Sequence, residues 1–107
     1  MEEEADVLKY YDKNLFLKDI NLESKEEILE YMVNHIKKYR KIPKNFLSSV
    51  KKREKFGITE FGNKIAMPHT DRTLTEDTFV CVGILKKPVI WEKKEVQVIF
   101  LVSISKN

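Results

Sequence analysis

The sequence predicts a single mixed α/β domain in which a central β-sheet is flanked by helices. Two segments with helical spacing of apolar residues come first, and a cluster of apolar, strand-like runs follows. The most apolar run, residues 96–102, is typical of a strand that is covered on both faces. A chain of 107 residues suits one core, so residues 1–107 are expected to form one domain.

The first half of the chain predicts a short helix, an extended segment and then a longer helix. Residues 3–11 suit a short helix, and residues 15–20 suit a short strand. Ser24 and Glu27 have the spacing of a capping box, in which a serine accepts a backbone N–H and a glutamate reaches back. The helix that follows should end before Pro43, because the residue before a proline is pushed out of the helical region. Its apolar side chains at helical spacing are Ile28, Leu29, Met32, Ile36 and Tyr39.

A second helix is predicted over residues 44–55, and glycines and a proline then break the chain. The side chains at the spacing of one helical face are Phe46, Leu47, Val50 and Glu54. Two glycines make residues 56–63 irregular. Residues 64–67 suit a brief strand that Pro68 ends, and residues 71–77 are polar and loop-like.

The last part of the chain predicts the core of the sheet. Residues 78–85 are a buried strand, and Lys86-Lys87-Pro88 is expected to turn the chain into a short edge piece at residues 89–91. Residues 96–102 form the last strand. The helices present can cover this strand only partly, so we expect the sequence to be a fragment of a longer domain.

Composition and charge exclude several classes of protein. Hydrophobic residues make up 42% of the chain, which excludes wholesale disorder, and 20 Lys+Arg against 17 Asp+Glu leave a net charge of +3. This balance gives no argument for direct binding to nucleic acid. A single cysteine, Cys81, excludes an internal disulfide and is expected to be a small core residue. No apolar run approaches the ~20 residues of a membrane span and no signal peptide is visible, so we expect a cytoplasmic protein.

His69 is the first candidate for chemistry. It follows a turn, a short apolar strand and Pro68, whose fixed φ limits the freedom of the chain there. Reactive groups are usually displayed beside loops, and a neutral imidazole is a competent nucleophile near pH ~7. From spacing alone, a structural histidine remains the competing interpretation. His35 lies within the first predicted helix, and we expect it to be an ordinary surface or half-buried residue.

Other kinds of site have little support in the sequence. Two distant histidines without paired cysteines do not give the ligand spacing of a metal site. A Ser/His/Asp triad through Asp71, Ser48 or Ser103 would lack a nucleophile elbow. No Walker loop or glycine-rich phosphate cradle is present, so direct use of ATP is not indicated. We therefore expect neither a metal nor a cofactor.

The segment that leads to His69 resembles a known signature. Residues 65–69, Ile-Ala-Met-Pro-His, are similar to the phosphorylation motif of the fructose/mannitol-type EIIA domains of the sugar phosphotransferase system (PTS). The preceding segment at residues 61–63, which contains a glycine, is also similar to the family. A Pro-His pair alone would be a weak signal, so the resemblance depends on its combination with other segments.

Two further segments extend the resemblance to most of the chain. Residues 52–55 resemble the family's Arg-Glu motif at the end of the preceding helix, with Arg53 at the separation from His69 that the family pattern expects. Residues 96–102 resemble the central strand of these domains. The three segments occur in the order that the family shows, and together they make the resemblance specific. The resemblance covers roughly residues 24–107.

The resemblance implies a role for each of these residues. His69 would be phosphorylated by the phosphocarrier protein HPr and would pass the phosphoryl group to an EIIB domain. Arg53 would offer its planar guanidinium to the phosphoryl oxygens, the alternative being a surface charge at a helix end. Thr70 could add a hydroxyl contact. Such a transfer depends on positioning and charge neutralisation.

The sequence departs from the family near Asn107. Many members carry a second active-site histidine shortly after the central strand, and the sequence ends at or just before that point. His35 does not match that second histidine. The closing helices of the family are also missing, so residues 1–107 resemble a truncated domain without its C-terminal helical part.

Two biological roles are compatible with the resemblance. EIIA-like domains also occur in transcriptional regulators that contain PTS regulation domains, such as BglG-type antiterminators, in which the phosphohistidine tunes activity. Residues 79–91 and 96–107 are more similar to those regulators, as are Met67 and Thr70. We therefore expect a regulatory module whose PTS regulation and nucleic-acid-binding domains lie outside this chain. A transport component that relays phosphate to EIIB for sugar uptake is the alternative, and an unrelated interaction domain is a third.

Overall fold

The computed structural model describes residues 11–56, 60–70 and 77–105, and it confirms a mixed α/β fold. The predicted helix at residues 3–11 and the predicted loop at 71–77 lie outside the described residues except for Tyr11 and Asp77. Tyr11 begins a strand, so the helix prediction is wrong for this residue. In chain order the elements are β1 (Tyr11–Ile20), α1 (Lys25–Ile36), α2 (Phe46–Phe56), β2 (Glu60–Gly62), β3 (Ile65–Ala66), β4 (Phe79–Ile90) and β5 (Glu95–Ser103).

Within the described residues the strands form one five-stranded sheet in the order β1-β4-β5-β3-β2. β1 runs parallel to β4, and β3 runs parallel to β5. The pairs β4/β5 and β2/β3 are antiparallel, so the sheet is mixed. The most apolar run of the sequence thus forms the central strand β5, as the pattern predicts.

Ser24 fixes the start of α1. Its backbone is extended, and its Oγ accepts the backbone N–H of Glu27 at 3.1 Å. The same hydroxyl donates to the Glu27 carboxylate at 3.0 Å, so the glutamate reaches the side chain of the cap rather than its backbone. After Ile36 a tighter turn ends the helix, with the Tyr39 N–H donating to the Ile36 carbonyl at 2.9 Å. The predicted inward position of Tyr39 is wrong, because this side chain follows the helix and is 50% exposed.

The apolar face predicted for α2 is confirmed, although the helix begins at Phe46 rather than at residue 44. Phe46 and Val50 are fully buried, and Leu47 packs against the core from a half-buried position. Glu54 is buried on the same face. Phe46 stacks on Phe79 of β4 with ring centroids 6.3 Å apart, which places α2 against the sheet.

The described helices pack on one face of the sheet. Gly83 of β4 faces α1, and a Cβ at this position would lie 2.9 Å from Sδ of Met32, so the glycine allows the close approach of the helix. Phe79 lies on the same face of β4, because side chains alternate along a strand. The opposite face of β4 and β5 carries half-buried apolar side chains, which include Val80, Ile84, Val98, Phe100 and Val102. This agrees with the expectation that two helices cover the sheet only partly.

β4 is longer than the sequence predicts. It continues through residues 86–88 and remains paired with β5 up to Ile90, so the predicted turn and the separate edge piece are wrong. The ladder between β4 and β5 shifts register between Ile84 and Val89. Pro88 lies within this irregular stretch, where its missing N–H interrupts no regular hydrogen bond.

Two turns complete the sheet. The turn between β4 and β5 is closed by the Trp91 N–H, which donates to the Lys94 carbonyl at 3.0 Å. β2 lies within the segment predicted to be irregular, so that prediction is wrong for this strand. β2 turns into β3 through Gly62, Asn63 and Lys64, which have φ values of 86°, 53° and 64°. Glycine adopts this left-handed region without the steric cost that other residues meet there.

Candidate functional site

The backbone around His69 is held against the central strand β5. The Pro68 carbonyl accepts the N–H of Val102 at 2.9 Å, and the Thr70 N–H donates to the Val102 carbonyl at 3.1 Å. These hydrogen bonds make His69 and Val102 a parallel bridge just beyond β3. The backbone is therefore fixed on both sides of His69, whose side chain is half-buried.

The imidazole of His69 contacts a backbone carbonyl through one ring nitrogen. Its Nδ1 lies 3.4 Å from the carbonyl oxygen of Thr70, near the outer limit for a hydrogen bond. Because a carbonyl oxygen only accepts, this contact is a hydrogen bond in the tautomer of the neutral ring that carries the proton on Nδ1. The lone pair is then on Nε2, which has no hydrogen-bond partner among residues 11–56, 60–70 and 77–105. An imidazole nitrogen with a lone pair can act as a nucleophile.

Thr70 is held by backbone groups on both sides. It is 2% exposed, and its Oγ1 accepts the N–H of Ile104 at 3.3 Å. Its hydroxyl therefore helps to fix the segment after His69 against the end of β5. The predicted contact between the Thr70 hydroxyl and a phosphoryl group remains a prediction.

Arg53 lies in the last turn of α2, and its side chain is half-buried. Across the described part of the chain, no hydrogen bond or ion pair joins Arg53 to His69. Contact between the guanidinium and a phosphoryl group on His69 therefore remains a prediction.

The sequence did not predict a buried polar cluster around Glu54, the residue that follows Arg53 in α2. Oε1 of Glu54 lies 2.9 Å from Nζ of Lys25 and accepts the indole N–H of Trp91 at 3.0 Å. Lys25 also pairs with Glu92. Burial disfavours the ammonium of Lys25, but hydrogen bonds to Glu92 and Glu54 outweigh burial and raise its pKa above the ordinary value. Glu54 at an apolar helical position was the available signal, because a buried carboxylate needs donors.

His35 is engaged away from His69. Its Nε2 lies 2.7 Å from the backbone carbonyl of Asn14, and its ring centroid lies 5.2 Å from that of Tyr39. The side chain is half-buried, which confirms the expectation of an ordinary helix residue.

Cys81 is fully buried, as predicted for a small core residue, and burial raises the pKa of its thiol to about 12. In the described parts of the chain, no three His, Cys, Asp or Glu side chains form a group that could hold a metal. Neither helix of the described residues has the length and apolar character that a membrane span requires.

Similarity to known sequences extends over nearly the whole chain. The family model described as "Phosphoenolpyruvate-dependent sugar phosphotransferase system, EIIA 2" matches residues 9–107. The chain is 31% identical over 106 residues to a probable licABCH operon regulator of Bacillus subtilis, covering 99% of this chain and 16% of the relative. It is 22% identical over 82 residues to the transcriptional regulator ManR of the same organism, covering 77% of this chain and 13% of the relative. The chain thus spans only a small part of these relatives.

A solved structure confirms the fold class. The complex of enzyme IIAMTL and phosphorylated enzyme IIBMTL from Escherichia coli contains a chain similar to this one with a TM-score of 0.78 at 15% identity. The match covers 91% of this chain and 73% of that chain.

Proposed function

This chain belongs to the EIIA 2 family of the phosphoenolpyruvate-dependent sugar phosphotransferase system, and on this premise we propose that His69 accepts a phosphoryl group from HPr. The observation that carries the proposal is the geometry of His69. Hydrogen bonds to Val102 fix the backbone on both sides of the residue, and the Thr70 carbonyl faces Nδ1. This arrangement favours Nε2 as the attacking nitrogen.

The transfer needs little covalent chemistry from this chain. The Nε2 lone pair attacks phosphorus while the bond between phosphorus and the donor atom of HPr breaks, and the donor keeps that electron pair. Nδ1 retains its proton and its contact with the Thr70 carbonyl throughout the step. The chain contributes a fixed nucleophile and charge stabilisation, which are the main requirements of phosphoryl transfer.

Arg53 would supply the charge stabilisation. A charge-assisted hydrogen bond contributes about 1.5–3 kcal/mol, so loss of the guanidinium should slow transfer by roughly 10- to 100-fold. Arg53→Lys should rescue the rate only partly, because an ammonium lacks the planar fork of donors. A rate for Arg53→Ala equal to that of the unchanged protein would contradict this role.

Labelling from phosphoenolpyruvate through enzyme I and HPr tests the acceptor. His69→Ala should abolish the label, and His35→Ala is the matched control that should retain it. The label should be acid-labile and alkali-stable, as expected for a phosphoramidate. Loss of the label in His35→Ala, with retention in His69→Ala, would contradict the assignment.

We further propose that phosphorylation of His69 regulates a longer protein that controls transcription. The two curated relatives are an operon regulator and a transcriptional regulator, and this chain matches only 16% and 13% of their lengths. PTS regulation domains and nucleic-acid-binding domains would then lie in other parts of the protein. If so, His69→Ala in the whole protein should fix transcription of its target genes in one state, whether or not the sugar is present.

A transport role is the second candidate, and the fold supports it. A chain similar to this one was solved in a complex of IIAMTL with phosphorylated IIBMTL, which supports an EIIB domain as a partner here. Mixing the phosphorylated protein with a cognate EIIB separates the two roles. Rapid and complete transfer that is coupled to sugar uptake would favour transport, whereas slow or reverse-only exchange would favour regulation.

A further inference from the structure

Three separate elements meet at one buried carboxylate oxygen. Oε1 of Glu54 lies 2.9 Å from Nζ of Lys25, at the start of α1, and 3.0 Å from Nε1 of Trp91, in the turn between β4 and β5. The side chains of Lys25 and Glu54 are only 9% and 3% exposed. Glu54 itself lies in the last turn of α2, so these contacts connect the end of α2 to both neighbours.

These contacts restrain the last turn of α2. Helix ends fray, because their last carbonyls lack partners within the helix. Two donors from two different elements limit both rotation of the last turn about the helix axis and movement along it. Lys25 lies 5.7 Å from the centroid of the Trp91 ring, a cation–π contact that adds to the same cluster.

Arg53 precedes Glu54 in the same helical turn. Neighbouring residues of a helix keep a fixed angular relation, about 100° apart with a rise of ~1.5 Å. Fixing the Glu54 carboxylate therefore also fixes the position from which the Arg53 side chain leaves the helix. Small displacements of a contacting group can slow a reaction by about 100-fold, so a restraint of this kind would affect the transfer rate if Arg53 contacts the phosphoryl group.

We propose that Glu54 is a positioning residue for Arg53, with Lys25 and Trp91 holding the Glu54 carboxylate so that the guanidinium is directed at the phosphoryl group on His69. The inference rests on the proposed phosphorylation of His69 and adds residues that do not touch the phosphoryl group. Trp91 provides an internal reporter, because it is the single tryptophan of the chain and its indole N–H takes part in the cluster.

A double-mutant cycle tests whether Glu54 acts through Arg53. Transfer from phosphorylated HPr is timed for the unchanged protein, Glu54→Gln, Arg53→Ala and the double variant. Glu54→Gln should slow transfer on the order of tenfold. In the Arg53→Ala background the same change should have almost no further effect on the rate. It should still shift the fluorescence of Trp91, since the cluster is altered in both backgrounds.

Two additional variants make the result independent of folding defects. Glu30→Gln makes the same chemical change at an exposed position of α1, and it should leave the rate and the fluorescence unchanged. Trp91→Phe removes one donor but leaves Lys25 and Glu54 paired, so it should slow transfer less than Glu54→Gln and again only when Arg53 is present. Far-UV circular dichroism checks that each variant is folded.

Each remaining outcome overturns a specific claim. An equal slowing by Glu54→Gln with and without Arg53 would mean that Glu54 acts through the general structure, which overturns positioning. A shifted Trp91 fluorescence with an unchanged transfer rate would also overturn it. Absence of His69 labelling in the unchanged protein would refute the proposed function itself, together with the inference that rests on it.

Discussion

Replacing Lys25 with methionine should destabilise the fold more than any ordinary surface change. Nζ of Lys25 is 2.9 Å from Glu54, and both side chains are nearly inaccessible to solvent. Removing one partner of a buried ion pair typically costs about 3–5 kcal/mol, because the other charge remains buried. The Trp91 N–H still donates to Glu54 in this variant, so we expect a loss near ~3 kcal/mol, at the lower end of that range.

The matched double variant tests the cause of this loss. Lys25→Met with Glu54→Gln removes the orphaned charge and keeps an amide oxygen as acceptor for the Trp91 N–H. The double variant should therefore be more stable than Lys25→Met alone, within roughly 1–2 kcal/mol of the unchanged protein. Lys18→Met, at an exposed position of β1, is the control and should have little effect.

Urea unfolding followed by far-UV circular dichroism measures these differences. A loss of ~3 kcal/mol corresponds to a fall in Tm of about 10–20 °C for a domain of this size. The raised pKa of Lys25 means that its stabilising contribution is complete below the ordinary lysine value of 10.5 and is lost as the pH rises through the folded-state pKa. A negligible loss in Lys25→Met, or a double variant that loses the sum of both single changes, would refute the reasoning.

Three further predictions concern the core and the first helix. Gly83→Ala should lower stability by about 1 kcal/mol in urea unfolding, because the new Cβ crowds the ends of Met32 and Ile20 and this cost exceeds the gain from a less flexible unfolded chain; a clear stabilisation would contradict the close packing. Cys81, with a thiol pKa of about 12, should react with a thiol reagent at neutral pH only after denaturation, and rapid reaction of the folded protein would contradict its burial. Ser24→Ala should cost about 1 kcal/mol of stability through loss of the cap to Glu27, and an unchanged urea midpoint would count against that cap.

Elements with local causes could be predicted from the sequence. The start of α1 follows from Ser24 and Glu27, whose hydrogen bonds form within one turn. The buried face of α2 follows from the spacing of Phe46 and Val50. β5 follows from its apolar run. In each case the signal lies within a few residues of the structure that it specifies.

Elements that depend on contacts between distant parts of the chain were harder to predict from the sequence. Lys86-Lys87-Pro88 has the composition of a turn, but pairing with β5 continues at Val89 and Ile90, and the register shift accommodates the proline. That pairing depends on a strand that comes later in the chain. The early end of α1 likewise could not be read from the spacing of Tyr39, because hydrophobic periodicity does not show where a tighter turn replaces the helix.

In the candidate site, too, features set by neighbouring residues could be predicted and features set by tertiary contacts could not. The position of His69 beyond a short strand was predictable, because Pro68 and the preceding apolar residues are its neighbours in sequence. The attachment of His69 to Val102 and the meeting of Lys25, Glu54 and Trp91 depend on how the chain folds back. Sequence spacing gave Glu54 an inward position without identifying its partners.

The most direct test of the central claim locates the phosphoryl group on a single nitrogen. Protein labelled with nitrogen-15 in its histidines would be phosphorylated through HPr and studied by NMR at alkaline pH, where a phosphoramidate is stable. Coupling between phosphorus and Nε2 of His69, with the signals of His35 unchanged, is the predicted result. Coupling to a nitrogen of His35, or no phosphorus–nitrogen coupling in a protein that HPr engages, would contradict the account.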